Sequence, residues 1–150
     1  MKSKEEPEVR IIYHRESFES KAGHQVRTKM EAAMCEWLMN HRIAHRHGSE
    51  VFTIRMGVSR TPTIYAPDII LHDKDKTGKT IIIEPFDAYS PKAGNTRIIA
   101  AFRKEMKNSY FIILVAKKQH LSKVMKEAYD MLVEFDNLDG FEKKLPRPER

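Results

Sequence analysis

Two apolar, β-branched runs joined by a short charged linker constrain this chain most. The runs are 63–71 (TIYAPDIIL) and 79–86 (KTIIIEPF), and the linker 72–78 ends in Gly78. Their length and isoleucine content predict strands, and the charged, glycine-ended connection predicts a hairpin turn. A hairpin symmetric about Lys76 sets His72 opposite Thr80, Ile70 opposite Ile82 and Asp68 opposite Glu84. Directly opposed residues share a face, with Cβ atoms roughly 4.5–5.5 Å apart. A slip of one residue would move one carboxylate to the other face, so the acid pair stands or falls with the register.

Two carboxylates side by side at the ends of isoleucine runs repel each other and are costly to desolvate. A divalent cation between them relieves both costs. Oxygen-only ligands point to a hard ion, Mg²⁺ or Mn²⁺, which keeps waters and accepts phosphate oxygens. Hydrolysis of a phosphodiester is the chemistry such a site favours. The competing reading has Asp68 and Glu84 capping strand ends and pairing with lysines.

The remaining elements follow from spacing. A helix is expected near 24–42, with Met30, Met34, Trp37, Leu38 and Met39 as its apolar stripe. Thr28 and Glu31 match a capping box, which allows a later start. Val51–Met56 reads as a short strand, and 9–14 (VRIIYH) as an edge strand. A second helix fits 95–107, with Ile98, Phe102 and Met106 facing inward. Residues 110–116 (YFIILVA) read as a buried strand. A third helix fits 119–135, with Leu121, Val124, Met125, Ala128, Leu132 and Phe135 inward. The order α, β, β, β, α, β, α predicts an α/β fold, a mixed sheet with helices packed on it. At 150 residues the chain is expected to be one domain, frayed over 1–8 and disordered over 143–150.

Charge and cysteine content narrow the setting. The net charge is +6 and the pI about 9.4, which suits a polyanionic partner without requiring one. Cys35 is the only cysteine, so an internal disulfide is excluded and a reducing, cytoplasmic setting is expected. The segment MKSKEEPEVR has no apolar signal core, and no apolar run approaches the roughly 20 residues of a membrane span.

At this point the residues resemble the PD-(D/E)xK, or restriction-endonuclease-like, nuclease superfamily over roughly 24–135. Pro67-Asp68 matches its first carboxylate after a proline, and Ile81-Ile82-Ile83-Glu84 its second after an apolar run. Glu31, in TKMEAAMCEWL, matches the glutamate that many members carry on the first helix. The resemblance implies an α-β-β-β-α-β core and a metal-dependent endonuclease, with DNA favoured over RNA. It implies Mg²⁺ or Mn²⁺ on Asp68 and Glu84, with the backbone carbonyl of Pro85 as a third ligand. It also implies that Glu31 helps hold the metal or its waters, and that the protein works as a homodimer or beside a partner subunit. The family's lysine two residues after the second carboxylate is Phe86 here. Lys104, on a helical stripe with Arg97 and Ala101, and Lys92 in the preceding loop are the candidate substitutes. Without such a lysine the alternative is a non-catalytic nucleic-acid-binding or assembly module on the same fold.

Other signals compete. Arg55, Arg60, Lys92, Arg97 and Arg103 are candidates for tracking phosphates, or plain surface charge. Asp73–Gly78 followed by Glu84 nearly matches an EF-hand calcium loop, but its flanks read as strands rather than helices. His41, His45 and His47, with Cys35 upstream, have partial zinc-ligand character but no second ligand pair, and read as surface residues. Ser17, Ser90 and His120 form no persuasive triad, and no glycine-rich phosphate loop is present.

Overall fold

The computed structural model describes residues 18–19, 25–26, 28–48, 50–86 and 96–148. The strand expected at 9–14, the fraying expected over 1–8 and Lys92 lie outside these residues, as do Ser17 and Ser90. Two short strands, β1 (Phe18–Glu19) and β2 (Gln25–Val26), pair antiparallel ahead of the first helix.

Helix α1 spans Lys29–Asn40, starting later than the expected residue 24, as the capping box allows. Thr28 is its N-cap, and its hydroxyl accepts the Glu31 N–H at 3.0 Å. That bond satisfies one of the amides an α-helix leaves unpaired at its start. At the other end, His41 stacks on Trp37 at 3.9 Å, and its Nδ1 lies 2.8 Å from the Trp37 carbonyl.

The central sheet has five strands in the order β3-β6-β7-β8-β9. These are β3 (His45–His47), β6 (Ile69–Lys74), β7 (Thr80–Phe86), β8 (Tyr110–Ala116) and β9 (Met131–Glu134). β3, β6 and β7 pair antiparallel, whereas β8 and β9 join in parallel. The fold is therefore α/β with a mixed sheet. Helix α2 (Thr96–Glu105) supplies the crossover between parallel β7 and β8.

The two faces of the sheet carry separate cores. Ile69, Leu71, Ile81, Ile83, Ile113 and Val115 pack under Met30, Met34 and Leu38 of α1. Ile70, Ile82, Ile112 and Leu114 pack under Ile99 and Phe102 of α2, with Ile54 and Tyr65 from a separate hairpin. Strand alternation explains the split, since neighbours along a strand face opposite ways. The near-continuous isoleucine runs reflect burial on both faces.

Three expectations are corrected. First, 63–71 is not one strand. β4 (Phe52–Met56) and β5 (Thr61–Tyr65) form their own antiparallel hairpin, and the chain breaks at 66–68 before β6. Pro67 offers no N–H to a ladder, so the break falls where proline requires it. Second, β3 was not anticipated; three residues with two histidines carry little strand signal. Third, the helix at 119–135 does not form. Two 3-10 turns, Lys118–Lys123 and Lys126–Ala128, lead instead into β9. The exposed edge of β8 offers unpaired backbone groups, and Asp130 N–H to Ile112 O (2.8 Å) and Phe135 N–H to Ala116 O (2.7 Å) satisfy them. The described residues continue to 148. Helix α3 (Phe141–Lys144) buries Phe141 and Leu145 against the α1-side core, and the Pro146 carbonyl accepts the Lys76 N–H at 3.0 Å. Among the described residues, no helix is long and apolar enough to cross a membrane.

Of the expected 72–78 linker, 72–74 extend β6 and 75–78 form a turn rather than a calcium loop. Asp75 Oδ1 accepts from the Thr77 N–H, the Thr77 hydroxyl and the Lys79 N–H, each at 2.8 Å. Asp73 pairs with Arg147 at 3.1 Å. Burial disfavours the Asp75 carboxylate, but the Lys79 amide, the Thr77 hydroxyl and amide and the Lys79 charge outweigh it, holding its pKa below the usual value. A depressed folded pKa adds stability above the unfolded value of about 3.9 and loses it as pH falls through the folded value. Asp75→Ala is expected to cost about 2–3 kcal/mol at neutral pH in urea denaturation, given three bonds to one charged acceptor. Below about pH 4 the wild-type advantage over the variant should shrink.

Candidate acid site and histidine cluster

The hairpin register follows the sequence at the site and departs from it near the turn. Ile69 pairs with Ile83 and Ile70 with Ile82, as symmetry about Lys76 requires. A bulge then shifts the pairing, so Lys74 rather than His72 meets Thr80. Because the shift lies on the turn side of Ile70, Asp68 still arrives beside Glu84. Its backbone N–H points to Glu84 Oε2 at 3.3 Å. Both side chains are buried, Asp68 at 5% and Glu84 at 2% relative exposure.

The notch that holds them has a simple origin. β6 begins at Ile69, opposite Ile83, so Glu84–Phe86 of β7 ladders only with β8 among the described strands. At this point β7 is locally an edge, which is why Pro85 is tolerated in an otherwise central strand. Glu84 shares the α2 face with Ile82 and Phe86. Tyr65, arriving from β5, donates its phenolic hydrogen to Glu84 Oε2. Sequence reasoning missed Tyr65 because the break at Pro67 hides its path, and a β5 ending just before a bent Ala66-Pro67 was the only available signal.

The other expected residues scatter. Phe86 is buried and meets His120 edge-on at 6.5 Å, so the position of the expected lysine is part of the core. Lys104 is exposed in the last turn of α2. That turn leads to Tyr110, which pairs with Thr80, whereas Glu84 pairs with Leu114. Four strand residues separate the two levels, about 13 Å. Arg103 makes a structural pair with Asp130, at 2.8 and 3.0 Å, and reaches the Glu127 carbonyl at 3.1 Å. Asp130 in turn accepts the Ile112 N–H at 2.8 Å, so this arginine fastens α2 to the start of β9. Arg97 is exposed on α2. Arg55 and Arg60 are exposed on the β4–β5 hairpin, where Arg55 Nη1 donates to the Arg60 carbonyl at 3.3 Å.

Glu31 lies on α1, which covers the opposite face of the sheet from Glu84. It is buried, and its Oε2 is 2.8 Å from His47 Nδ1. Around His47 stands a group able to hold a metal ion: Cys35, His45 and His47, whose ligand atoms all lie within 4.8 Å of one another. Expected at the surface, His45 and His47 are instead drawn inward by β3, which lays them side by side beneath α1. His41, capping α1, is not one of the three.

Compared with known proteins, the chain matches no family model, no curated protein and no solved structure.

Proposed function

We propose that this protein is a metal-dependent nuclease that hydrolyses phosphodiester bonds, with DNA favoured over RNA, and that Asp68 and Glu84 hold its Mg²⁺ or Mn²⁺. The observation that carries the reading is that two buried acidic residues meet where β7 outruns β6, with the Asp68 backbone N–H on Glu84 Oε2. The chain order α1, β3, β6, β7, α2, β8, with the β4–β5 hairpin inserted, supports the resemblance to restriction-endonuclease-like enzymes. The net charge of +6 supports a polyanionic substrate. A homodimer or a partner subunit would supply substrate targeting.

The donor set suits a hard cation. Carboxylate oxygens of Asp68 and Glu84, with the Pro85 carbonyl, are all oxygen ligands. The Tyr65 hydroxyl and the Asp68 amide both act on Glu84 Oε2 and fix that carboxylate's orientation. The ion, when bound, lowers the pKa of a coordinated water and neutralises charge developing on the phosphate. Lys92, in the segment that follows β7 in sequence, is the lysine this reading retains to orient the attacking water.

The test is cleavage of labelled single-stranded, duplex, flap and four-way-junction DNA and of RNA, in Mg²⁺, Mn²⁺ or chelator. Cutting that requires the metal is the expected result. Salt-dependent binding without cutting under either ion would overturn the catalytic claim in favour of a binding module, the reading that the core position of Phe86 favours.

A further inference from the structure

Three side chains that the acid pair does not use converge on the α1 side of the sheet. His45 and His47 are two apart on β3 and so face the same way, while α1 brings Cys35 down onto them. Cys35 is fully buried, and His45 and the His47 side chain are each 8% exposed. Cys35 Sγ lies 3.2 Å from His45 Nε2 and 3.3 Å from His47 Nε2.

The second nitrogen of each ring is held from behind. His45 Nδ1 is 2.9 Å from the Ile43 carbonyl, and His47 Nδ1 is 2.8 Å from the Glu31 carboxylate. A carbonyl and a carboxylate accept, so Nδ1 carries a hydrogen in both rings, and both rings turn Nε2 toward the sulfur. A cation at their centre would be within ligand reach of all three atoms, and a carboxylate or carbonyl behind each imidazole is the usual support of a metal-ligating histidine.

We propose that Cys35, His45 and His47 bind a zinc ion that fastens the three-residue edge strand β3 to α1, with Glu31 as the residue that orients His47. One thiolate and two imidazoles suit zinc better than Mg²⁺ or Ca²⁺. Tetrahedral zinc with ordinary Zn–S and Zn–N lengths sets S···N near ~3.5 Å, a few tenths of an ångström beyond the separations found here. Three protein ligands leave the fourth position to a water. This site shares no residue with Asp68 and Glu84, and its zinc is independent of nuclease activity.

The full chain, purified without chelator, is expected to carry about one zinc by elemental analysis, as a single three-ligand site requires. Cys35→Ser and His47→Asn should each lose most of it. Chelator-stripped wild type refilled with Co²⁺ should show a thiolate-to-cobalt charge-transfer band that Cys35→Ser lacks. Should the buried Cys35→Ser variant fail to fold, Glu31→Gln keeps the test open: it retains the site but should weaken zinc binding about 10- to 100-fold. Asp68→Asn and Glu84→Gln should leave zinc content unchanged. Wild type that holds no zinc after dialysis and gives no charge-transfer band with Co²⁺ overturns the proposal, leaving a hydrogen-bonded thiol–imidazole cluster.

Discussion

On the proposed function, Glu84→Gln is expected to lower metal-dependent cleavage by about a thousandfold while leaving the fold intact. The substitution keeps the shape of the side chain and an oxygen to accept from Tyr65, whose hydroxyl meets Glu84 in the native site. What it removes is the negative charge that a divalent ion needs as counterpart. Metal stabilisation of transition-state charge is worth several kcal/mol, and about 4 kcal/mol corresponds to a factor near 10³. Asp68→Asn should match it, and the double variant should cost little more than either alone, because both act through one ion. Tyr65→Phe should do less, about tenfold, since it loosens a ligand without removing one. Loss of activity together with loss of fold would not be this effect, so far-UV circular dichroism belongs beside the assay.

Phe102→Ala is expected to be the most destabilising single substitution on the α2 side, at about 3–5 kcal/mol. Phe102 is 1% exposed and stands at the centre of an aromatic group: Tyr65 at 4.6 Å, Phe52 at 4.9 Å and Tyr110 at 5.1 Å between ring centroids. Truncation leaves a large cavity and removes three aromatic contacts. For a chain of this size the melting temperature should fall by roughly 10 °C. The effect should reach the acid site as well, because Tyr65 packs on Phe102 with its ring and holds Glu84 with its hydroxyl. A variant that melts no lower than wild type would mean that the β4–β5 hairpin does not pack on α2.

The acid site was more legible than the sheet that carries it. Pairing across an isoleucine hairpin is a local matter, so Ile70 opposite Ile82 and Asp68 beside Glu84 could be read from symmetry about the turn. The bulge near Lys74 could not, but it falls on the far side of Ile70 from the site. The end of the chain misled for a different reason. Leu121, Val124, Met125, Ala128 and Leu132 carry a helical period, yet the open edge of β8 recruits 131–134 as a strand. A demand for backbone partners set by distant residues overrode local preference. The same holds for Leu145, whose place in the core depends on α1 and on β6–β8 rather than on its own neighbours.

The histidines show the limit most clearly. In sequence they read as surface residues, whereas the structure joins 45 with 47 on a strand too short to announce itself. Cys35 completes the group only because α1 crosses above β3. Glu31 carried two readings in sequence, a capping-box residue and a helper of the acid pair's metal; in the structure its N–H meets the cap Thr28 and its side chain reaches His47.

The central claim, that Asp68 and Glu84 hold a divalent ion, is tested most directly by titrating Mn²⁺ into the protein by calorimetry after its zinc content has been fixed. The wild type should bind Mn²⁺ at the acid pair, and Glu84→Gln and Asp68→Asn should each abolish that binding while Glu31→Gln leaves it in place. Mn²⁺ binding that is absent from the wild type, or unchanged in both acid-pair variants, would contradict the account.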